Sequence, residues 1–235
     1  MDNSINTYIL TSNKMVNNTM DMISHSFTSK WPESNVTVLG YTEPDHKYDN
    51  IKFISLGEDL GPNKVCEQLH NFFTLQNEDH FIFGVDDMPL IQKVDNNMIE
   101  YATSLMQMNK TIGRFGLTSD NVSRGHNVIE QIENNSLIRS LQADPYKISC
   151  TYSIWNSEYF LLYLKEFDNL WQFEAEGSQK SNNDNYEIFA FSVGILDHSH
   201  MFKKGNLKQD WYLSCYTKKS LSELDKNVIK KIYNL

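Results

Sequence analysis

The sequence predicts an α/β fold: a single domain with a mostly parallel central sheet flanked by helices. Three observations support this prediction. The 235 residues are 40% hydrophobic and 22% charged, which is enough apolar material for one sizeable core. Predicted strands and helices alternate over the first ninety or so residues, and that order is typical of parallel sheets. The short apolar run at 81–85 is bounded on both sides by polar residues, as a buried strand is.

The elements of the first part follow from β-rich runs and from apolar residues at helical spacing. The first predicted helix ends at Trp31-Pro32, because a residue that precedes proline disfavours the helical conformation. In chain order we expect a strand at 8–12, a helix at 17–30, strands at 35–41 and 51–56, a turn at 57–63, a helix that carries Val65, Leu69 and Phe72 on one face, and a strand at 81–88.

The remaining elements are predicted in the same way, with fewer clear boundaries. Residues 170–178 mix aromatic and acidic side chains, and the polar stretch 179–185 is expected to form a flexible loop. In chain order we expect a helix from Asn96 or Asn97 to Met108, a strand at 111–118, a helix at 128–141, a strand at 148–155, a helix at 158–167, a strand at 188–195, and a terminal helix opened by a capping box at 220–223.

Composition excludes several classes of protein. The net charge of −9 excludes a general nucleic-acid-binding surface, which requires a basic face. The three cysteines are far apart and lack metal-binding spacing, so a reducing compartment is expected. The polar N-terminus does not resemble a signal peptide, and no run approaches the roughly 18 apolar residues of a membrane span. We therefore expect a cytoplasmic protein with at most a peripheral contact at the inner face of the membrane.

The strand at 81–88 carries the most informative pattern in the chain. Its apolar run leads directly into Asp86 and Asp87, and Pro89 ends it because proline cannot continue a central ladder. In open α/β sheets, ligands bind at the carboxyl ends of strands. Adjacent carboxylates repel each other unless a cation or a ligand hydroxyl lies between them. Carboxylate oxygens in this position suit Mg²⁺ or Mn²⁺ carrying a phosphate.

The segment 79–90 resembles the acidic metal-binding motif of GT-A glycosyltransferases, in which a hydrophobic strand ends in Asp-x-Asp or a variant. The resemblance implies a GT-A-like fold, with a nucleotide-binding half at about 1–95 and an acceptor-side half at about 96–235. It implies that Asp86 and Asp87 hold a divalent ion, Mn²⁺ or Mg²⁺, and the diphosphate of a nucleotide sugar. Because the pair is contiguous, the pattern leaves open which of the two takes the metal and which the ribose.

A second segment, 171–178, places Glu174 and Glu176 among aromatic residues. It resembles the acceptor-side region of small GT-A transferases from bacterial surface-polysaccharide pathways and large viruses. The resemblance implies that one glutamate is the base that deprotonates the acceptor hydroxyl, with Glu174 the first choice and Glu176 the second. A carboxylate beside aromatic surface is partly desolvated, and this raises its pKa towards a useful range.

A third segment, 197–205, combines histidines and lysines directly after the predicted strand at 188–195. Many metal-dependent GT-A enzymes take a further metal ligand from a C-terminal histidine. His198 and His200 face the same side of an extended chain, and His200 is preferred as the ligand because it is nearer the lysine pair. Lys204 would meet the diphosphate as a point charge.

Two further pairs are predicted to contact the nucleotide. Thr11 and Ser12 follow the first strand and can bond the base or ribose. Asn63 and Lys64 open the helix after the turn Gly61-Pro62, where the family binds the base. The chain lacks G-x-x-x-x-G-K-[ST] and G-x-G-x-x-G, so neither a P-loop nor a dinucleotide-binding site is expected.

The predicted function is metal-dependent transfer of a sugar from a nucleoside-diphosphate sugar to a hydroxyl of a glycan or glycolipid acceptor, with inversion if a glutamate acts as base. A sugar-phosphate nucleotidyltransferase is the first alternative. It carries a glycine-rich basic loop after strand one, whereas residues 12–15 here are Ser-Asn-Lys-Met. The second alternative is a non-catalytic domain that binds a sugar or a nucleotide.

Overall fold

The computed structural model describes residues 5–120, 125–132, 134–141, 144–199, 202–203, 206–207 and 223–232. They belong to two compact units, each built from segments that are far apart in the sequence. The first unit comprises the ranges 1–55, 84–94 and 196–235, and the second comprises 56–83 and 95–195.

The strands and helices alternate over most of the chain. The strands are β1 (Asn6–Leu10), β2 (Asn35–Gly40), β3 (Lys52–Ser55), β4 (His80–Val85), β5 (Ile112–Gly116), β6 (His126–Ile132), β7 (Asn135–Ser140), β8 (Ser153–Asn156), β9 (Glu187–Phe191), β10 (Phe202–Lys203) and β11 (Asn206–Leu207). The helices are α1 (Val16–Lys30), α2 (Val65–Thr74), α3 (Asn96–Met108), α4 (Ser157–Leu164), α5 (Leu170–Lys180) and α6 (Glu223–Ile232).

The first unit is built on parallel strands. Strand β2 pairs in parallel with β1, where Val38 lies opposite Ile9, and with β3, where Val38 lies opposite Phe53. Residues 36–40 of β2 are buried without alternation, as expected of a parallel strand covered on both faces. Helix α1 contributes to a cluster of buried apolar side chains that consists of Met15, Met22, Ile91, Phe202 and Ile229.

Helix α6 is fixed to α1 by a buried carboxylate. Asp225 accepts a hydrogen bond from Nζ of Lys30 at 2.7 Å and lies 3.4 Å from Nε2 of His25. The side chain of Asp225 is 4% exposed, so solvent screens its ion pair with Lys30 only weakly. Removing Lys30 would leave the charge of Asp225 buried without this partner. This contact holds the C-terminal helix in the first unit.

The second unit has a mixed sheet. Residues 80–83 of β4 pair antiparallel with β8, β8 pairs antiparallel with β5, and β5 pairs parallel with β9. Strand β7 pairs antiparallel with both β9 and β6. The core of this unit is aromatic, and contacting rings have centroids between 4.3 and 6.2 Å apart among its members Phe73, Phe81, Phe83, Trp155, Phe160 and Phe173.

The predicted α/β class is confirmed. The predicted parallel pairing is found among β1, β2 and β3 of the first unit. In the second unit, by contrast, most strand pairs are antiparallel. The predicted helix at 128–141 is wrong, because this stretch forms the hairpin of β6 and β7. The asparagines at 134 and 135 lie where the chain reverses, and asparagine is a typical turn residue.

Residues 170–178, for which the sequence analysis predicted no helix or strand, form a regular element. Helix α5 covers these residues, and the polar stretch that follows contains a 3-10 turn, Ser181–Asn183, in place of a loop without structure. The side chain of Asn169 caps α5 by accepting the backbone N–H of Gln172 at 3.0 Å. The capping residues predicted for the terminal helix, 220–222, lie outside the described residues, and α6 is described from Glu223.

None of the helices in the described ranges combines the length and the apolar character needed to cross a bilayer.

Candidate functional site

The acidic pair lies beside the carboxyl ends of the parallel strands of the first unit. The backbone N–H of Asp86 donates to the carbonyl of Leu10, the last residue of β1, at 3.1 Å. The N–H of Thr11 donates in turn to the carbonyl of Leu39 in β2 at 2.8 Å. The predicted position at a strand end is therefore confirmed, and it is the edge at which open α/β sheets bind ligands.

Asp86 is held by two threonine hydroxyls. Oδ2 of Asp86 accepts a hydrogen bond from the hydroxyl of Thr11, and Oγ1 of Thr19 lies 3.2 Å from the same oxygen. The carboxylate is only 6% exposed. Thr19 was not predicted as a site residue, although it is a polar residue on the face of α1 that also carries Ile23 and Phe27. A polar side chain on an apolar helix face is a signal that could have identified it.

The surroundings of Asp86 disfavour its charge. Burial, together with the neighbouring carboxylate of Asp87, raises the pKa of Asp86 to about 7, although the hydrogen bonds from Thr11 and Thr19 act in the opposite direction. A metal ion would act in the opposite direction, because a nearby positive charge stabilises the ionised carboxylate. Asp86 is therefore a desolvated carboxyl group, and near neutral pH either a bound cation or a proton would stabilise it.

The two carboxylates fit a hard divalent cation with few protein ligands. Asp87 is half-buried, so it is more open to solvent than Asp86, one of whose oxygens already accepts hydroxyl hydrogens. No three His, Cys, Asp or Glu side chains come together as a metal-binding group within the described ranges. Mg²⁺ is commonly held by one or two carboxylates, with phosphate and water completing its shell, and this donor set matches that arrangement.

The histidine segment lies against the residues that follow the acidic pair. The N–H of Ile91 donates to the carbonyl of Asp197 at 3.0 Å, and the N–H of Ser199 donates to the carbonyl of Pro89 at 3.1 Å. Leu90 and His198 form an antiparallel bridge between them, and His198 is buried. The first and third predicted constellations are therefore neighbours in the first unit. His200 and Lys204 lie outside the described residues, so their predicted roles stay predictions.

The connection from β1 to α1 is short and contains no glycine. It consists of residues 11–15, and the carbonyl of Ser12 accepts the N–H groups of Met15 and Val16 at 2.9 Å each. Thr11 is buried, whereas the side chain of Ser12 is exposed. Of the two residues predicted to contact the nucleotide here, Thr11 is occupied with Asp86, and Ser12 is open to solvent.

Asn63 and Lys64 belong to the second unit, in a 3-10 turn that leads into α2. Both are exposed; Oδ1 of Asn63 accepts a hydrogen bond from Nδ2 of Asn169 at 3.1 Å, and Lys64 pairs with Glu67 at 2.8 Å. The structure therefore assigns these two residues to a different unit from Thr11 and Asp86. Their predicted contact with a nucleotide stays a prediction.

Glu174 and Glu176 both lie on α5 in the second unit. Oε1 of Glu174 accepts the backbone N–H of Cys150 at 2.6 Å, and the side chain is half-buried, whereas Glu176 is exposed. Two residues along an α-helix are about 200° apart around its axis. The two glutamates therefore point in different directions, and only one can serve a given acceptor.

Comparison with known proteins identifies related folds only. No family model and no curated protein matches the chain. The fold is similar to that of an apo-UDP-glucose pyrophosphorylase, with a TM-score of 0.52, 10% identity, and coverage of 97% of this chain and 99% of that one. A UDP-glucose pyrophosphorylase from Acinetobacter baumanii matches with a TM-score of 0.50, 9% identity, and coverage of 97% and 99%.

Residues 1–349 of S. aureus TarS also match, with a TM-score of 0.48, 11% identity, and coverage of 82% of this chain and 59% of that one. At these identities the likeness of the two pyrophosphorylases shows the α/β fold alone.

Proposed function

We propose that this chain binds a nucleoside-diphosphate sugar at the carboxyl ends of β1 and β2 and transfers the sugar to a hydroxyl of a glycan or glycolipid. The observation that carries the proposal is the position of Asp86 and Asp87 beside the end of β1, with Thr11 on Asp86 and residues 197–199 against residues 89–91. The resemblance of residues 79–90 to the acidic motif of GT-A glycosyltransferases points to the same ligand.

The acidic pair would hold Mg²⁺ or Mn²⁺, and this ion, when bound, would neutralise the charge that develops on the leaving diphosphate. Asp87 is the better candidate for the direct ligand, because it is the more exposed of the two. Asp86 would orient the site, since its Oδ2 is already tied to Thr11 and Thr19.

Glu174 is the proposed base for the acceptor hydroxyl. Its carboxylate is fixed through one oxygen by the N–H of Cys150, and a base that is held in one orientation loses less freedom when it accepts a proton. Glu176 is exposed and is the alternative. A base in this role corresponds to an inverting reaction.

A sugar-phosphate nucleotidyltransferase is the second candidate, because the fold resembles two UDP-glucose pyrophosphorylases over 97% of this chain. The five-residue connection between β1 and α1 argues against it. That connection contains no glycine, whereas nucleotidyltransferases place a glycine-rich basic loop there to surround the triphosphate.

Two product assays separate these candidates. In the first, the protein is incubated with UDP-, GDP- or dTDP-sugars and Mn²⁺, and release of the nucleoside diphosphate is measured. In the second, it is incubated with a nucleoside triphosphate and a sugar 1-phosphate, and release of pyrophosphate is measured. We expect release of the diphosphate, with Asp49→Asn as active as the unmodified chain and Asp87→Asn inactive.

The outcomes differ in what they mean. Pyrophosphate release that requires Asp87 would replace our proposal with the nucleotidyltransferase. Thermal stabilisation by one nucleotide without turnover in either assay would indicate a binding domain. No response to any nucleotide, with or without Mn²⁺, would refute a nucleotide site at the acidic pair.

A further inference from the structure

A cavity in the second unit lies apart from every residue used above. It has a volume of about 300 Å³ and lies against β7, β9 and the 3-10 turn 181–183. Its walls include Ser140, Lys147, Asn182, Asp184 and Tyr186. A volume of this size is at the lower end of the range for small-molecule sites, which suits a single ring with a few substituents.

The ammonium group of Lys147 is the unusual feature of this cavity. Lys147 is only 6% exposed, and its Nζ donates one hydrogen bond, to the carbonyl of Ser181 at 2.9 Å. Within the described ranges this carbonyl is its only acceptor, although an ammonium has three N–H donors. Burial lowers the pKa of Lys147, while Asp184 and Asp144 act in the opposite direction. The group is thus a buried cation with unused donors at the wall of a cavity.

The other charged side chains of the cavity already have partners. Arg139 pairs with Glu187 at 2.6 Å. Asp184 accepts the hydroxyls of Tyr159 and Tyr163 at 3.1 and 2.5 Å. Burial raises the pKa of both tyrosines, so they remain protonated donors. Lys147 is therefore the group with capacity left for a ligand, and a buried cation is stabilised most by an anion.

We propose that this cavity binds a sugar-sized ligand with one anionic group, a sugar phosphate or a sugar acid, whose anion contacts Nζ of Lys147. The polar walls formed by Ser140 and Asn182 supply partners for hydroxyl groups, and Tyr186 supplies a flat surface for a ring. The inference rests on the second unit alone, so it does not depend on the proposed function of the first.

Isothermal titration calorimetry with the full chain tests this proposal. The probes are glucose 1-phosphate, glucuronate, glucose and inorganic phosphate. We expect glucose 1-phosphate or glucuronate to bind, and the stronger of the two identifies the anion. Lys147→Met should weaken that binding at least about tenfold. Lys165→Met, which removes an exposed lysine of the same unit, should leave it unchanged, and so should Asp87→Asn in the first unit.

A second variant tests the cavity without touching the buried lysine. Ser140 is half-buried on β7, and Ser140→Tyr would fill the cavity from that position. Binding should then be lost while the urea unfolding curve stays the same. Equal binding of glucose and glucose 1-phosphate would overturn the role of the anion, and equal binding of inorganic phosphate would overturn the role of the ring. If none of the four probes binds, or if Ser140→Tyr binds normally, the proposal is wrong.

Discussion

Thr11 donates its hydroxyl hydrogen to Oδ2 of Asp86, a contact that joins the end of β1 to the acidic pair across 75 residues of sequence. The hydrogen bond stabilises the ionised form of a carboxylate that burial disfavours. The hydroxyl of Thr19 lies 3.2 Å from the same oxygen, so the two threonines together fix the orientation of the carboxylate. Thr11 thus has a structural role, holding Asp86, that does not depend on any contact with a nucleotide.

Replacing Thr11 by valine should destabilise the protein and weaken nucleotide binding. The change keeps the side-chain volume but removes the hydroxyl donor. Loss of a hydrogen bond to a buried carboxylate lowers the free energy of unfolding by about 1–3 kcal/mol. Thr11→Ser retains the hydroxyl and serves as the control. The measurement is urea unfolding at pH 8 in EDTA. Equal midpoints for the valine and serine variants would show that the hydroxyl contributes nothing.

The stability of the metal-free protein should fall as the pH rises from about 4 to about 7. The pKa of Asp86 is about 7 in the folded chain and about 4 in an unfolded one. Between these values the folded state binds the additional proton, so raising the pH removes stability, by up to roughly 4 kcal/mol over the whole range.

The variant Asp86→Asn isolates this effect. An amide resembles the protonated acid and does not titrate. The stability of the Asp86→Asn variant relative to the unmodified chain should therefore increase from pH 5 to pH 8. Urea unfolding in EDTA at the two pH values measures the difference. A difference that is independent of pH would mean that Asp86 is ionised throughout the range.

Asp87→Asn should weaken Mn²⁺-dependent nucleotide binding at least about tenfold, because it removes a charged oxygen ligand. It should change stability little, since Asp87 is half-buried. Asp49→Asn removes one exposed negative charge from the same unit and controls for net charge. Calorimetric titration of the nucleotide with Mn²⁺ present gives the comparison. Equal affinities for the two variants would remove Asp87 from the site.

Glu174→Gln should lower turnover by roughly 10²–10⁴-fold, the usual contribution of a general base, while donor binding stays the same. The amide oxygen of glutamine can still accept the N–H of Cys150, so the fold is preserved. Glu176→Gln is the matched control on the same helix. If the control alone loses turnover, the base lies two residues further along the chain.

Gly113→Ala should destabilise the second unit by about 1–3 kcal/mol. A Cβ at this position in β5 would lie 2.4 Å from Cδ1 of Tyr159, a ring that is fully buried. Gly177→Ala is the comparison, because its Cβ would meet Tyr163 at 3.2 Å and alanine favours the helix by about 1 kcal/mol. Thermal unfolding should therefore separate the two variants, with Gly113→Ala much the less stable.

The sequence predicted those features that depend on local patterns. The strand that leads into Asp86 was predictable, because an apolar run followed by proline leaves few alternatives. The helix predicted at 128–141 is wrong because apolar residues of the two hairpin strands recur at helical spacing, although two asparagines mark the turn between the strands. Helix α5 was missed although Asn169 and Gln172 have the spacing of a capping box.

The partners of the site residues could not be predicted, because they depend on long-range contacts. The polarity of Thr19 distinguishes it on its helix face, but nothing local indicates that its partner is Asp86, or that residues 197–199 lie against residues 89–91. Lys147 is an ordinary lysine in the sequence, and only its burial singles it out. Residue types thus identified the acidic pair, whereas the fold was needed to identify the groups that hold it.

The chain passes between the two units at four places, after residues 55, 83, 94 and 195. Along the chain, the two segments of the second unit, 56–83 and 95–195, are inserted between the three segments of the first. No truncation can therefore isolate either one: a fragment ending at residue 55 contains Thr11 without Asp86, and the fragment 56–195 contains Asp86 without Thr11. Expressing the first unit separately requires joining its three segments, 1–55, 84–94 and 196–235, so loss of activity in a simple deletion fragment would not show where the chemistry occurs.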